Sequence, residues 1–324
     1  MKTTTEGLSG KEARDRSVAR LLTAATFASV GVALTLVVAK TVAWFMTGSV
    51  AILSTLIDSI IDTGASLLTL LAVRASLAPA DENHRFGHGK AEPLAGLGQA
   101  AFISGSAVFL VIHGIERVLV PEPVHGNMVG IVVMVLSTVL TLGLVAFQKY
   151  VIRRTGSLAV GGDSLHYTGD LLMNVSVIGS LVIGLYFDIP LMDPILGIVI
   201  ALFLMVSAWE IGHMSINMLM DRELPEDERR RILDICFDDS RVLDVHDLRT
   251  RRSGQTTFIQ LHLDLDGNLS LTQAHDITSD LYRRLAALFP QSEILIHQDP
   301  IGEDDDEHHP TFAYSDSRMP PEPQ

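Results

Sequence analysis

Residues 49–76, SVAILSTLIDSIIDTGASLLTLLAVRAS, decide the fold. As a helix rising about 1.5 Å per residue, the stretch is long enough to cross roughly 30 Å of hydrocarbon. It is apolar apart from one narrow stripe. Asp58 and Asp62 lie about 9 to 13 residues in, close to mid-bilayer. Their i, i+4 spacing puts both on one face, which Ser54, Ser66 and Thr69 extend. A charged side chain at that depth costs about 2.5–3.5 kcal/mol or more on insertion scales, so the pair requires a compensating partner.

Five further stretches have the same length and apolar character. Together the six predicted helices run over about 18–46, 49–76, 92–119, 126–149, 160–187 and 191–217, forming a polytopic α-helical membrane domain over 18–220 after a short cytoplasmic segment, 1–17. The first apolar run follows MKTTTEGLSGKEARDRSVAR, and no small-residue cleavage site follows a short apolar core, so it reads as a spanning helix. Lys11, Arg14, Arg16 and Arg20 precede the first helix, Arg74, Arg85 and Lys90 lie between the second and third, and Lys149, Arg153 and Arg154 between the fourth and fifth. The connections MTGS, PEPVHGN and FDIPLMD carry no Lys or Arg, although Arg117 lies just before the second. The bias predicts a multi-pass protein of the inner, cytoplasmic membrane with both termini cytoplasmic.

The fifth helix repeats the anomaly of the second. His166 and Asp170 are also i, i+4, with Asn174 one turn on. No Arg or Lys at matching depth on either helix offsets the three carboxylates, which weighs against a purely packing role and for a shared cation. Three carboxylates and one imidazole suit four-coordinate zinc, and also ferrous iron or cadmium, whereas calcium and magnesium prefer all-oxygen shells. The lone Cys236 excludes an intrachain disulfide and a thiolate cluster, so any metal site must be built from His, Asp and Glu.

The formal net charge of -14 sits mostly beyond Asp221, which excludes nucleic acid as a partner and suits a soluble domain that handles cations. Residues 221–300 read as a cytoplasmic α+β domain of order αββαβ, with both helices on one sheet face. Pro225 at a first helical position, with Glu226, Asp227 and Glu228 after it, opens a helix through about Phe237. The strands VLDVHDLRTRR and TTFIQLHLDLD follow, joined by Ser253-Gly254. In the second strand Ile259, Leu261, Leu263 and Leu265 alternate with Gln260, His262, Asp264 and Asp266, predicting one buried and one polar face. Ser270 with Gln273 reads as a capping box for a helix through about Phe289, and SEILIHQD closes the sheet. Residues 301–324 read as an acidic disordered tail.

Two further His/Asp groups stand out. In PADENHRFGHGKAE, Asp81, His84 and His88 are spaced so that a single turn of chain presents all three to one ion. In the terminal domain His246 and His262 fall on the first two strands, His275 in the second helix, and His297 with Asp299 on one face of the third strand, where i, i+2 residues share a side.

DSIIDTGASLLTLLAVR, PADENHRFGHGKAEPLA, DSLHYTGD, HDLRTRRSGQTTFIQLHL and IHQDP resemble the cation diffusion facilitators, most closely the bacterial ferrous-iron and zinc efflux transporters, from about residue 16 to Pro300. The resemblance implies a transport site of Asp58, Asp62, His166 and Asp170 and a second site of Asp81, His84 and His88. It implies that His246, His262, His275, His297 and Asp299 bind a pair of ions in a metallochaperone-like terminal domain, stabilising a homodimer. Lys90 and Asp221 are similar to the family's charge interlock across that dimer.

The expected function is secondary transport: export of a divalent transition-metal cation (zinc or ferrous iron, with cadmium also admitted) from the cytoplasm in exchange for protons. The partners are the bilayer, protons, divalent cations and a second copy of the chain, with zinc or ferrous iron as structural ions and no organic cofactor. An imidazole in the site gives the coupling, because protonated His cannot ligate metal. The competing reading is a membrane-embedded metal sensor or scaffold that binds without transport. An intramembrane hydrolase is disfavoured, since no HExxH occurs in the chain and the quartet leaves no open position for an activated water.

Overall fold

The computed structural model describes residues 3–119, 128–186 and 191–301. The acidic segment expected to be disordered, beyond 301, lies outside them, as does the PEPVHGN connection. The chain divides after Leu219 into two compact units.

The first unit holds six long helices among its described residues: α1 (Thr3–Thr47), α2 (Val50–Ser76), α3 (Ala91–Leu119), α4 (Met128–Thr155), α5 (Leu158–Tyr186) and α6 (Met192–Leu219). Two run well past their expected ends. α1 begins at Thr3 although its apolar span starts only at Arg16, and α4 continues through Tyr150–Thr155 until Gly156, at φ +65°, breaks it. Hydrocarbon thickness bounds the span, not the helix, and nothing in KYVIRRT stops the helix sooner.

Among the described residues five helices, α1 to α4 and α6, are long and apolar enough to cross a membrane. α5 carries Asp163, Ser164, His166, Thr168, Asp170 and Asn174, and it packs against α1, α2, α3, α4 and α6. Enclosed by protein, such a helix does not need an apolar surface all round. Of the six expected spans, five are met by length and composition among the described residues.

The outer faces carry what water would reject: Leu68 is 68% exposed, Phe109 68%, Val206 72% and Trp209 76%. Inside, Ile103, Ala107, Ala201, Leu204 and Ala208 close the α3–α6 seam. The helices there approach closely, for a Cβ on Gly114 would lie 2.6 Å from Ile198 Cγ1. Hydroxyls in the spans return their protons to the preceding turn, as Thr26 does to Leu22 O (3.1 Å) and Thr41 to Val37 O (2.7 Å).

The second unit contains α7 (Glu226–Phe237), β1 (Asp244–Ser253), β2 (Thr256–Leu265), α8 (Leu271–Leu288) and β3 (Ser292–Pro300). β1 pairs antiparallel with β2, and β2 parallel with β3. The alternation in β2 plays out as expected: Ile259, Leu261, Leu263 and Leu265 are buried with Ile232, Leu233 and Cys236 of α7 and Ile277, Leu281 and Leu285 of α8. Ser270 caps α8, accepting from Gln273 N at 3.3 Å while Gln273 Oε1 accepts from Ser270 N at 2.9 Å. Pro225 stands one place earlier than expected, as the N-cap of α7. β1 is interrupted: its register shifts between His246 and Arg249, and Asp247 takes φ +49°, an irregularity that no alternation pattern announces.

Candidate metal centre

Three groups of His and Asp side chains among the described residues bring ligand atoms within 4.8 Å of one another: Asp62, His166 and Asp170; Asp81, His84 and His88; and His246, His262 and Asp299.

The first lies between α2 and α5. His166 Nε2 is 2.9 Å from Asp62 Oδ1 and 3.7 Å from Asp170 Oδ2. Phe102 and Tyr167 meet the imidazole edge-on, with centroids at 5.7 and 5.6 Å, and fix its plane. Asp58, one turn from Asp62, is not within that trio. It lines the same cavity of about 380 Å³, with Asp62, Asp170, Asn174, Thr55 and Ser59. Along the cavity the polar stripe of α2 therefore runs through Thr55 and Ser59, and Ser54 is not among the lining residues.

The expectation that α2 and α5 carry no Lys or Arg at the depth of these carboxylates holds for those two helices, but the cation comes from a third. Lys40 of α1 lines the same cavity, and its Nζ donates to Ser59 Oγ (2.6 Å) and Thr55 O (3.0 Å). A lysine in the apolar run LVVAKTVAWF is itself an expensive anomaly, and that cost is the signal in the sequence that points to it.

Asp163 is a second residue the sequence reading missed, and the same cost argument would have found it. It is buried one turn before His166 and accepts from Ser66 Oγ (3.0 Å) and Gln148 Nε2 (2.8 Å). Gln148 also donates to Ser29 Oγ (3.0 Å), and Ser66 Oγ is 2.9 Å from Tyr167 Oη. The network pins α5 to α1, α2 and α4, which sets the level of His166 against Asp62. Glu92 does the same from α3, its Oε1 accepting from Leu158 N at the start of α5 (3.0 Å), where helix-end N–H groups favour an anion.

In the loop, Asp81 organises the second group. Its Oδ1 accepts from the backbone N–H groups of His84 (2.7 Å) and Asn83 (2.9 Å), and these bonds fold the chain so that His84 Nδ1 (3.1 Å, to Oδ1) and His88 Nε2 (3.2 Å, to Oδ2) both reach the carboxylate. The backbone bond from His84 is the main reason the Asp81 carboxyl is held below its ordinary value.

The third group follows from sheet register. His246 pairs with His262, and His262 with His297, so the three imidazoles stand side by side on the polar face. Asp299 Oδ2 lies 2.9 Å from His262 Nδ1 and 3.7 Å from His246 Nε2, and Asp299 Oδ1 lies 3.2 Å from His297 Nε2. Asp264 borders the group, 3.3 Å from His246, and burial raises its carboxyl above the ordinary range. His275 does not join them within one protomer; it is exposed on α8 beside Ser279 (3.3 Å). Lys90 donates to Leu219 O (3.3 Å), and Asp221, at φ +55°, pairs with Arg251 (3.2 Å).

A mixed set of imidazole and carboxylate donors fits zinc or ferrous iron in all three places and gives calcium or magnesium too few oxygens. Residues 26–220 match the family described as "Cation efflux transmembrane domain", and residues 224–301 that described as "Cation efflux protein, cytoplasmic domain". Curated relatives named "Cation-efflux pump FieF" include that of Shewanella oneidensis, 49% identical over 86% of this chain and 93% of the relative. Those of Cronobacter sakazakii (48%; 87% and 93%) and Escherichia coli (44%; 88% and 95%) are similar over nearly the same length. With both domains matched in order and relatives alike over nearly their whole length, this chain belongs to the cation efflux family, the cation diffusion facilitators.

Proposed function

We propose that this protein exports divalent transition-metal cations, zinc or ferrous iron foremost, by secondary transport in exchange for protons. The observation that carries the reading is the trio Asp62, His166 and Asp170, contributed by two helices of a membrane unit and converging on one point beside Asp58. An imidazole and carboxylates held by two separate helices take a cation when the helices close and lose it when they part. A metal ion and a second ring proton exclude each other at His166, which supplies the exchange with protons. In this reading α5 crosses the membrane with the other five helices, the protein sits in an inner membrane, and both termini are cytoplasmic. Asp81, His84 and His88 hold an accessory ion. His246, His262, Asp299 and His297, with His275, hold ions that order a homodimer, and Lys90 and Asp221 interlock across it.

The test is initial uptake of zinc, ferrous iron and manganese into sealed vesicles holding purified protein, with and without a pH gradient. Metal binding without translocation would make the protein a sensor. His166→Asp leaves an all-carboxylate site, so zinc uptake should fall relative to manganese and its pH dependence should move. A variant with the parent's metal ranking and pH profile would remove His166 from the site.

A further inference from the structure

Lys40 has a geometry that a stray membrane lysine would not adopt. It lies seven residues before the end of α1, close enough to the boundary for its flexible stem to carry the ammonium toward the interface. Instead the side chain is half-buried and turned onto α2, donating to Ser59 Oγ at 2.6 Å and Thr55 O at 3.0 Å. These acceptors flank Asp58, and the ammonium shares a cavity with Asp58, Asp62 and Asp170, the three carboxylates whose fields act on it. An ammonium has no lone pair and cannot ligate a metal, so Lys40 acts through charge alone.

We propose that Lys40 is the tethered counter-cation of the transport cavity, setting how tightly a divalent ion is held and how readily it leaves. This rests on reading Asp58, Asp62, His166 and Asp170 as the transport site. With its three carboxylates ionised and His166 neutral, the cavity with Lys40 carries a net charge of minus two, which one divalent cation neutralises. Without Lys40 the same ion leaves one negative charge uncompensated in a low-dielectric setting, and its departure leaves three until a proton takes its place at His166. The ammonium is bonded to α2 rather than to α5, so it stays with Asp58 and Asp62 when the two helices separate. It then partly compensates those carboxylates in the empty site and weakens their hold on the ion in the filled one.

The experiment compares Lys40→Met, Lys40→Arg and Asp62→Ala in vesicles containing the full chain, with zinc as the probe. Zinc affinity of the same purified proteins is read by competition with a chelating dye, the component missing from Asp62→Ala being assigned to the transport site. Lys40→Met should lower both KM and kcat for zinc, by about tenfold each, because the ion binds more tightly and leaves more slowly. Lys40→Arg, which keeps the charge, should stay within about threefold of the parent. A residue that only packs α1 on α2 would weaken binding or leave KM alone. Should Lys40→Met give no uptake, dye competition decides: tighter zinc supports the proposal, and equal or weaker zinc overturns it. If Asp62→Ala transports normally, the transport-site reading itself falls. If Asp62→Ala is inactive while Lys40→Met has the parent's KM and kcat, the counter-cation proposal falls alone.

Discussion

Asp62, His166 and Asp170 come from two helices that meet only through side chains, whereas His246, His262 and Asp299 come from neighbouring strands of one sheet. The donors are of the same kind, but what holds them differs. Along β2 and β3 the pairing is continuous from Thr257–Ser292 to Leu265–Pro300, so His262 and Asp299 cannot separate without breaking a ladder of backbone hydrogen bonds. α2 and α5 satisfy their backbones internally, and sliding or tilting one against the other breaks only side-chain contacts. The first arrangement suits an ion that must leave, and the second an ion that stays.

The largest effect expected from this contrast is at Asp62. Under the proposed transport, Asp62→Ala removes one of the three groups that converge between α2 and α5 and should cut zinc flux by more than about a hundredfold, whereas His84→Ala with His88→Ala should weaken affinity or regulation and leave measurable flux. The reverse order of severity in one vesicle assay would break the assignment of cargo to the helices.

A smaller effect is expected at the sheet. His262→Ala should lower flux by less than about tenfold, yet abolish the zinc-dependent part of the hydrogen-exchange protection of residues 292–300. Chelation of the parent should loosen that strand while α1–α6 stay protected. Equal protection of the strand in chelator and in zinc would mean that no resident ion orders it.

Much of this contrast was readable beforehand because both periodicities are strict. Period 3.6 aligned Asp58 with Asp62 and His166 with Asp170, and period 2 separated Ile259, Leu261 and Leu263 from Gln260, His262 and Asp264. What stayed hidden was pairing between elements. Neither the reach of Lys40 from α1 onto α2 nor the bonds from Gln148 of α4 and Ser66 of α2 to Asp163 are encoded in any one helix's pattern. His275 shows the converse, since a histidine in a short domain rich in histidine need not face the others within one protomer. The irregularity at Asp247 was invisible because a left-handed aspartate leaves no trace in hydropathy.

The smallest predicted effect concerns pH at the loop. Asp81 has a lowered pKa, chiefly through the His84 backbone N–H, so its charge-dependent support of the loop is complete above the unfolded carboxyl value of about 3.9 and is lost as pH falls through the lowered one. Asp81→Asn should therefore give faster hydrogen exchange at residues 81–88 at pH 7 and pH 5 alike, by about two- to fivefold, with the gap closing only below about pH 4. A gap that closes near pH 6 would show that the histidines, not Asp81, hold the loop.

The parallel pairing of β2 with β3 sets His262 beside His297 and Asp264 beside Asp299, with Ile259 beside Ile294 and Leu261 beside Ile296 in the alternate places. A slip of one residue along β3 would send its isoleucines to the solvent face and its ligands into the core. Recognition of the ion and correctness of the fold are thus written in the same register. A sheet that has formed properly already presents its imidazoles, and a misaligned one would forfeit its apolar core, so the domain proofreads the placement of those imidazoles as it folds.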